Sequence, residues 1–321
     1  MQEEDRSTQD FWVDETAITR QSIRVSMRDG ARLQVYRHTR ADLPARGRNL
    51  ESRSPVPLLC VPDELGNSRE LHGFILSLMA LKNAPMEIYS VDLRGRGNSE
   101  AKNIADSDLD SDADDLISVC DALGLHHVDI LVSGRGVYPV VLSAPKRPGL
   151  IRRLILNDAA GEFDAVGIAR LSARSKRSTE PKSWEEAVDQ LQELNQEQFP
   201  NLDREQWRIL ATTIWNDAGG KPERSYHEGL LRLSNSDDFD SKQPDLWTEM
   251  KILTNRPSLL LRGENSLLVT REIANQMADA LNQLSIHEIA DQGHVPLLSS
   301  NDLPETILTF LNAPTATLPA H

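Results

Sequence analysis

The sequence predicts an α/β protein with a mainly parallel central sheet flanked by helices, and three observations predict it. From Val56 onward, strand-sized apolar runs alternate with stretches of helical periodicity. Residues 161–255 break that rhythm with a polar span rich in Trp, Gln and Glu that holds helical patterns and no strong strand. The run Val128 to Val132 enters the turn Ser133-Gly134-Arg135-Gly136, and a helical stretch follows over Val137 to Ala144. That strand–turn–helix layout is the setting of a nucleophile elbow, usually written G-x-S-x-G.

In chain order, residues 1–20 are polar and read as a flexible N-terminal segment. Ser22 to Ser26 and Ala31 to His38 alternate apolar and polar around Asp29-Gly30, which predicts a hairpin. Thr39 to Pro55 carries several arginines with Pro and Gly and reads as a solvated surface loop. Buried strands are expected at Val56 to Val61, Met86 to Val91, Val128 to Val132, Ile151 to Leu156 and Ser258 to Leu261. Helices are expected at Ser68 to Leu81 and at Asp112 to Leu123, the latter with Leu116, Val119, Cys120 and Leu123 on one face. Strands separated by helices imply right-handed crossovers. The polar span adds helical candidates at Ser183 to Gln196, Asp203 to Trp215 and Pro244 to Leu253. These boundaries give a core of residues 21–160 and 256–313, an all-helical cap at 161–255 inserted after the sixth sheet strand, and a tail at 314–321. A cap there would lie over the strand ends, where open parallel sheets bind ligands.

At 321 residues the chain can bury a large core, and 39% hydrophobic with 26% charged residues is the composition of a soluble globular protein. A net charge of −14 argues against a nucleic-acid partner, which needs clustered Lys and Arg. The apolar runs are too short to span a membrane, and the acidic start Met1-Gln2-Glu3-Glu4-Asp5 carries no signal-peptide pattern. Cys60 and Cys120 read as two reduced core thiols of a cytoplasmic protein. No residues suggest a cofactor or a metal, and Gly95-Arg96-Gly97 reads as a turn because the nucleotide-binding fingerprint is incomplete.

Five stretches now carry a resemblance. They are Pro57-Leu58-Leu59-Cys60-Val61-Pro62, Val91-Asp92-Leu93-Arg94-Gly95-Arg96-Gly97-Asn98-Ser99, Leu154-Ile155-Leu156-Asn157-Asp158, Leu261-Arg262-Gly263-Glu264-Asn265-Ser266 and Gly293-His294-Val295-Pro296-Leu297. From about Val56 to Leu311 the chain resembles the α/β-hydrolase superfamily, most closely its bacterial esterase-like members with a helical cap. The resemblance implies a serine nucleophile at the elbow, an acid after a late strand and a histidine near the C-terminus. Such chemistry needs all three, because serine is a poor nucleophile until a base takes its proton and an acid orients that base. It also needs two backbone N–H donors for the oxyanion, one after the nucleophile and one from the loop after the first buried strand.

Position by position, the resemblance places glycine, Gly134, where the nucleophile belongs. Ser133 next to it would need Leu131 and Arg135 as its flanking glycines, and its side chain should point away from the pocket. Leu267 stands at the acid position, with Glu264 slightly upstream. Asp158, after the sixth strand, is the other place where this fold supplies an acid, and it also reads as a turn or helix cap. His294 retains the base position. In the oxyanion loop Pro62 is followed by Asp63-Glu64 where relatives carry glycine, and two carboxylates there would repel a developing oxyanion. Arg135 and Val137 replace a small residue and a second elbow glycine.

The leading expectation is a hydrolase-derived protein with a degenerate catalytic triad that binds a small molecule or a protein partner. The alternative is an enzyme in which His294, with Asp158 or Glu264, acts as general base with no covalent serine intermediate. A third is a structural or regulatory protein whose pocket is filled by side chains.

Overall fold

Strands buried on both faces have no polar side to show, and here they form the centre of one sheet. A computed structural model of the chain describes residues 18–40, 56–104, 108–175, 180–230, 244–300 and 302–314. Among the described residues there are ten strands: β1 (Ile18–Ser26), β2 (Arg32–Arg40), β3 (Leu58–Val61), β4 (Glu87–Asp92), β5 (Val128–Ser133), β6 (Ile151–Asn157), β7 (Trp215–Asp217), β8 (Pro222–Arg224), β9 (Ser258–Gly263) and β10 (Leu284–Ile289). Eight of them make a sheet in the order β1-β2-β4-β3-β5-β6-β9-β10. The β1–β2 and β2–β4 pairs are antiparallel and the rest are parallel. After β3 the chain steps outward to β4, then returns past β3 to β5. That reversal opens a crevice at the C-terminal ends of β3 and β5, the place where such sheets hold ligands.

Helices cover both faces. The helices are α1 (His72–Ala80), α2 (Leu109–Leu123), α3 (Val137–Lys146), α4 (Ala165–Ser175), α5 (Trp184–Asn195), α6 (Arg204–Ile214), α7 (Trp247–Ile252), α8 (Arg271–Ala280) and α9 (Leu303–Asn312). β3 shows how the layers form: Leu58 and Cys60 face α1 and α9, while Leu59 and Val61 face the α2, α3 and α8 side. α2 starts three residues before the expected Asp112. The Asp108 side chain accepts the Ser111 N–H, and aspartates in the first turn favour the positive end of the helix dipole. Gly124 ends it in the left-handed region at φ 69°. The helical stretch expected over Ser68 to Leu81 is a 3₁₀ turn at Ser68–Leu71 running into α1.

Two expectations need correction. The segment taken as flexible to residue 20 overlaps β1, whose ladder with β2 begins at Ile18 opposite Arg40. The insertion between β6 and β9 is not all-helical. α5 and α6 start at the caps Ser183 and Asp203 as expected, but Trp215 leaves the helix with extended backbone. The chain turns at Gly219 and Gly220, so Trp215–Asp217 pairs antiparallel with Pro222–Arg224. Residues 1–17, most of the 39–55 loop and residues 315–321 lie outside the described residues. Among the described residues no helix is long and apolar enough to cross a membrane.

His38, in β2, supplies a pH prediction. It is 1% exposed, and its ring lies 5.6 Å from that of His72. Burial first, then His72 and Arg20, push its pKa down from 6.5 to about 4. The unfolded chain then binds the proton that the fold refuses. Stability is fully present above pH 6.5 and falls as pH drops toward 4, by up to about 3 kcal/mol. Urea unfolding at pH 7 and pH 4.5 should show the gap between wild type and His38→Leu narrowing or reversing at the lower pH. An unchanged gap would contradict this.

Candidate functional site

The site gathers at the C-terminal ends of β3, β5 and β6, each placing one residue. β5 delivers Gly134 into the left-handed region at φ 47°, a conformation glycine enters at little cost. Two residues on, Gly136 packs so tightly that a Cβ would run into the Pro62 carbonyl. This contact fixes the loop after β3 against the elbow and carries Asp63 into the crevice.

Asp63 occupies the space a nucleophile would need. Its Oδ1 accepts the Arg135 backbone N–H at 2.7 Å. A Cβ at position 134 would stand 2.9 Å from Asp63 Cγ and 2.9 Å from His294 Cε1. The donor after the elbow residue, which in acyl transfer stabilises an oxyanion, is therefore engaged by a carboxylate of the chain itself. Of the two carboxylates that the sequence places beside this donor, only that of Asp63 accepts from it. Glu64 turns away and pairs with Arg135 at 2.5 Å, while its backbone carbonyl accepts Arg96 Nε at 2.7 Å. Burial pushes the Glu64 carboxyl up, and the charges of Arg135 and Arg96 oppose that shift.

His294 has a carboxylate partner. His294 Nδ1–H donates to Asp158 Oδ2 at 2.8 Å. Asp158 is 0% exposed and sits in the left-handed region at φ 49°. For a non-glycine residue this conformation costs about 1 kcal/mol or more and persists only when its surroundings dictate it. They do so through Ser266 Oγ, which donates to Oδ2 at 2.5 Å, and the Gly263 N–H, 3.3 Å from Oδ1. Asp158 is thus an anchor for three donors rather than the cap of a helix. Glu264 is exposed and accepts the Asp291 N–H at 3.3 Å, apart from this group. Leu267 is half-buried, and its backbone carbonyl lies against Gly167 of α4. Ser133 is buried with its hydroxyl accepting from Asn157 Nδ2 at 3.2 Å, on the neighbouring strand. Val137 is fully buried as the first residue of α3.

The insertion adds a residue that sequence reasoning missed. Gln198, 2% exposed, accepts the His294 backbone N–H at 3.2 Å through Oε1. No motif marks it, since it stands in a polar span between two helices. Phe163 packs its ring edge-on to His294, with centroids 6.5 Å apart, and gives the site an apolar wall. The run Gly95-Arg96-Gly97 is a turn that holds the insertion: Gly97 N–H donates to the Ser225 carbonyl at 2.7 Å, and the His227 N–H to that of Gly95 at 2.7 Å. Among the described residues no cluster of His, Cys, Asp and Glu is arranged to hold a metal. Cys60 and Cys120 are free and buried, and burial pushes the Cys120 thiol up to about 12.

Comparison with known proteins agrees with this fold. No family model matches the chain. It is 26% identical over 219 residues, 64% of its length and 72% of the relative's, to a 3-hydroxybutyrate-oligomer hydrolase of Cupriavidus necator. An α/β hydrolase from Novosphingobium aromaticivorans superposes with a TM-score of 0.78 at 23% identity, over 92% of this chain and 98% of that one. E-2-(acetamidomethylene)succinate hydrolase superposes at 0.71 with 20% identity, over 92% and 100%. The strand order and these superpositions give the chain the α/β-hydrolase fold.

Proposed function

We propose that this protein binds a small molecule beside His294, with the insertion as its cap, and does not carry out hydrolysis through a serine. One observation carries the reading: the Asp63 carboxylate, bonded to the Arg135 N–H, fills the place of both nucleophile and oxyanion. A serine mechanism needs a hydroxyl beside the imidazole and an empty donor for developing negative charge. Here the hydroxyl is absent and the donor faces a negative group. The relatives are hydrolases by name, but a fold does not transmit a reaction once its reacting atoms have changed.

Purified protein should turn over short-chain nitrophenyl esters no faster than its His294→Ala variant. Turnover in the wild type that His294→Ala abolishes would overturn the proposal. The Asp158–His294 pair supports a second reading, in which the imidazole takes a proton from water or from an acidic substrate. That reading predicts a reaction insensitive to serine-directed covalent inhibitors. A cytoplasmic location and the absence of a nucleic-acid partner belong to the same proposal, supported by two free buried thiols and the acidic balance of the chain.

A further inference from the structure

We infer that the ligand is a primary amine in its ammonium form, held between Asp63 Oδ2 and His294 Nε2. The inference rests on the ligand-binding reading above and names its ligand class. A carboxylate only accepts, so the proton between His294 Nδ1 and Asp158 Oδ2 belongs to the imidazole. In the neutral ring Nε2 is then a bare acceptor. It faces Asp63 Oδ2 at 3.9 Å, while Asp63 Oδ1 is held by the Arg135 N–H. The two atoms stand too far apart to bond each other directly. A nitrogen placed roughly 2.9 Å from each would bridge them with two N–H bonds. An ammonium carries three donors and a hydroxyl only one.

The side-chain contacts agree. Arg135 is matched by Glu64, so Asp63 and Asp158 face a single imidazole. The His294 side chain is 7% exposed and that of Asp63 27%, so a group bound between them is partly shielded from water. An ester carbonyl or a carboxylate arriving here meets Asp63 where a hydrolase offers a donor. Aspartate at position 63 gives the site an acceptor face, and the apolar wall at Phe163 suits the hydrocarbon part of an amine.

The test titrates n-butylammonium, n-butanol and n-butyrate into the full chain. Binding is followed by calorimetry and by the imidazole NMR signals of His294. Butylammonium should shift those signals and bind at least tenfold more tightly than either of the others. Asp63→Asn should weaken ammonium binding tenfold or more with the fold intact by circular dichroism. Asp63→Gly, which frees the Arg135 N–H, should turn the preference to butyrate. Butyrate binding the wild type as well as butylammonium does, or ammonium binding undiminished in Asp63→Asn, would overturn the inference. If butanol or butyrate shifts His294 and butylammonium does not, only this inference fails and the ligand-binding reading stands. If none of the three shifts His294, both fail.

Discussion

Gly134→Ser alone is expected to leave the protein without ester turnover, whereas Gly134→Ser combined with Asp63→Gly is expected to create it. A side chain at position 134 starts 2.9 Å from His294 Cε1, where a nucleophile can reach the imidazole, but it also starts 2.9 Å from Asp63 Cγ. The single variant sets a hydroxyl against a carboxylate and leaves the Arg135 N–H occupied. Removing Asp63 clears the space, releases that donor and takes away the opposing charge. One oxyanion donor is worth about 10²- to 10³-fold in kcat, so the double variant should exceed the single one by at least about 10² in kcat/KM on nitrophenyl butyrate. Because Asp158 already holds His294 Nδ1, adding Leu267→Asp to Gly134→Ser should gain nothing while Asp63 remains. A single variant as active as the double would show that Asp63 does not block the site.

How much of this was legible depends on what each residue does. The central strands were visible because burial on both faces requires unbroken apolar runs, as in Leu154-Ile155-Leu156. β10 was not, since Leu284–Ile289 is an edge strand with only Ile289 fully buried, and no run of apolar residues marks it. Gly134, Leu267 and His294 were found by their places in a known pattern. Asp63 and Glu64 were seen as carboxylates, but their division of labour depends on the side chain of Arg135 reaching one of them and its backbone reaching the other. Sequence carries no sign of that choice. Asp158 kept two roles open because an acid after a strand suits a turn as well as a base, and only the approach of β6, β9 and the His294 loop separates them. Gln198 was invisible because its partner is a backbone N–H 96 residues away.

Asp158 should be the most costly of these polar residues to remove. Asp158→Ala is expected to destabilise the fold by about 4 kcal/mol, because His294 Nδ1–H, Ser266 Oγ–H and the Gly263 N–H lose a shared buried acceptor. Alanine also tolerates the left-handed backbone at φ 49° poorly. The damage should spread, since Ser266 Oγ in turn accepts the N–H groups of Leu268 and Val269 at 3.2 and 3.1 Å and closes that loop. Asp158→Asn keeps the volume, suits the backbone and retains one acceptor, so about half that loss is expected. Urea unfolding gives these energies, and the imidazole Nδ1–H proton resonance of His294 reports the bond directly. That resonance should vanish or move strongly in both variants, while Leu267→Ala should leave it in place. A residue that merely shaped a turn would accept asparagine without loss and leave the histidine unmoved. Stability and resonance both unchanged in Asp158→Asn would therefore remove Asp158 from the site and leave His294 without its acid.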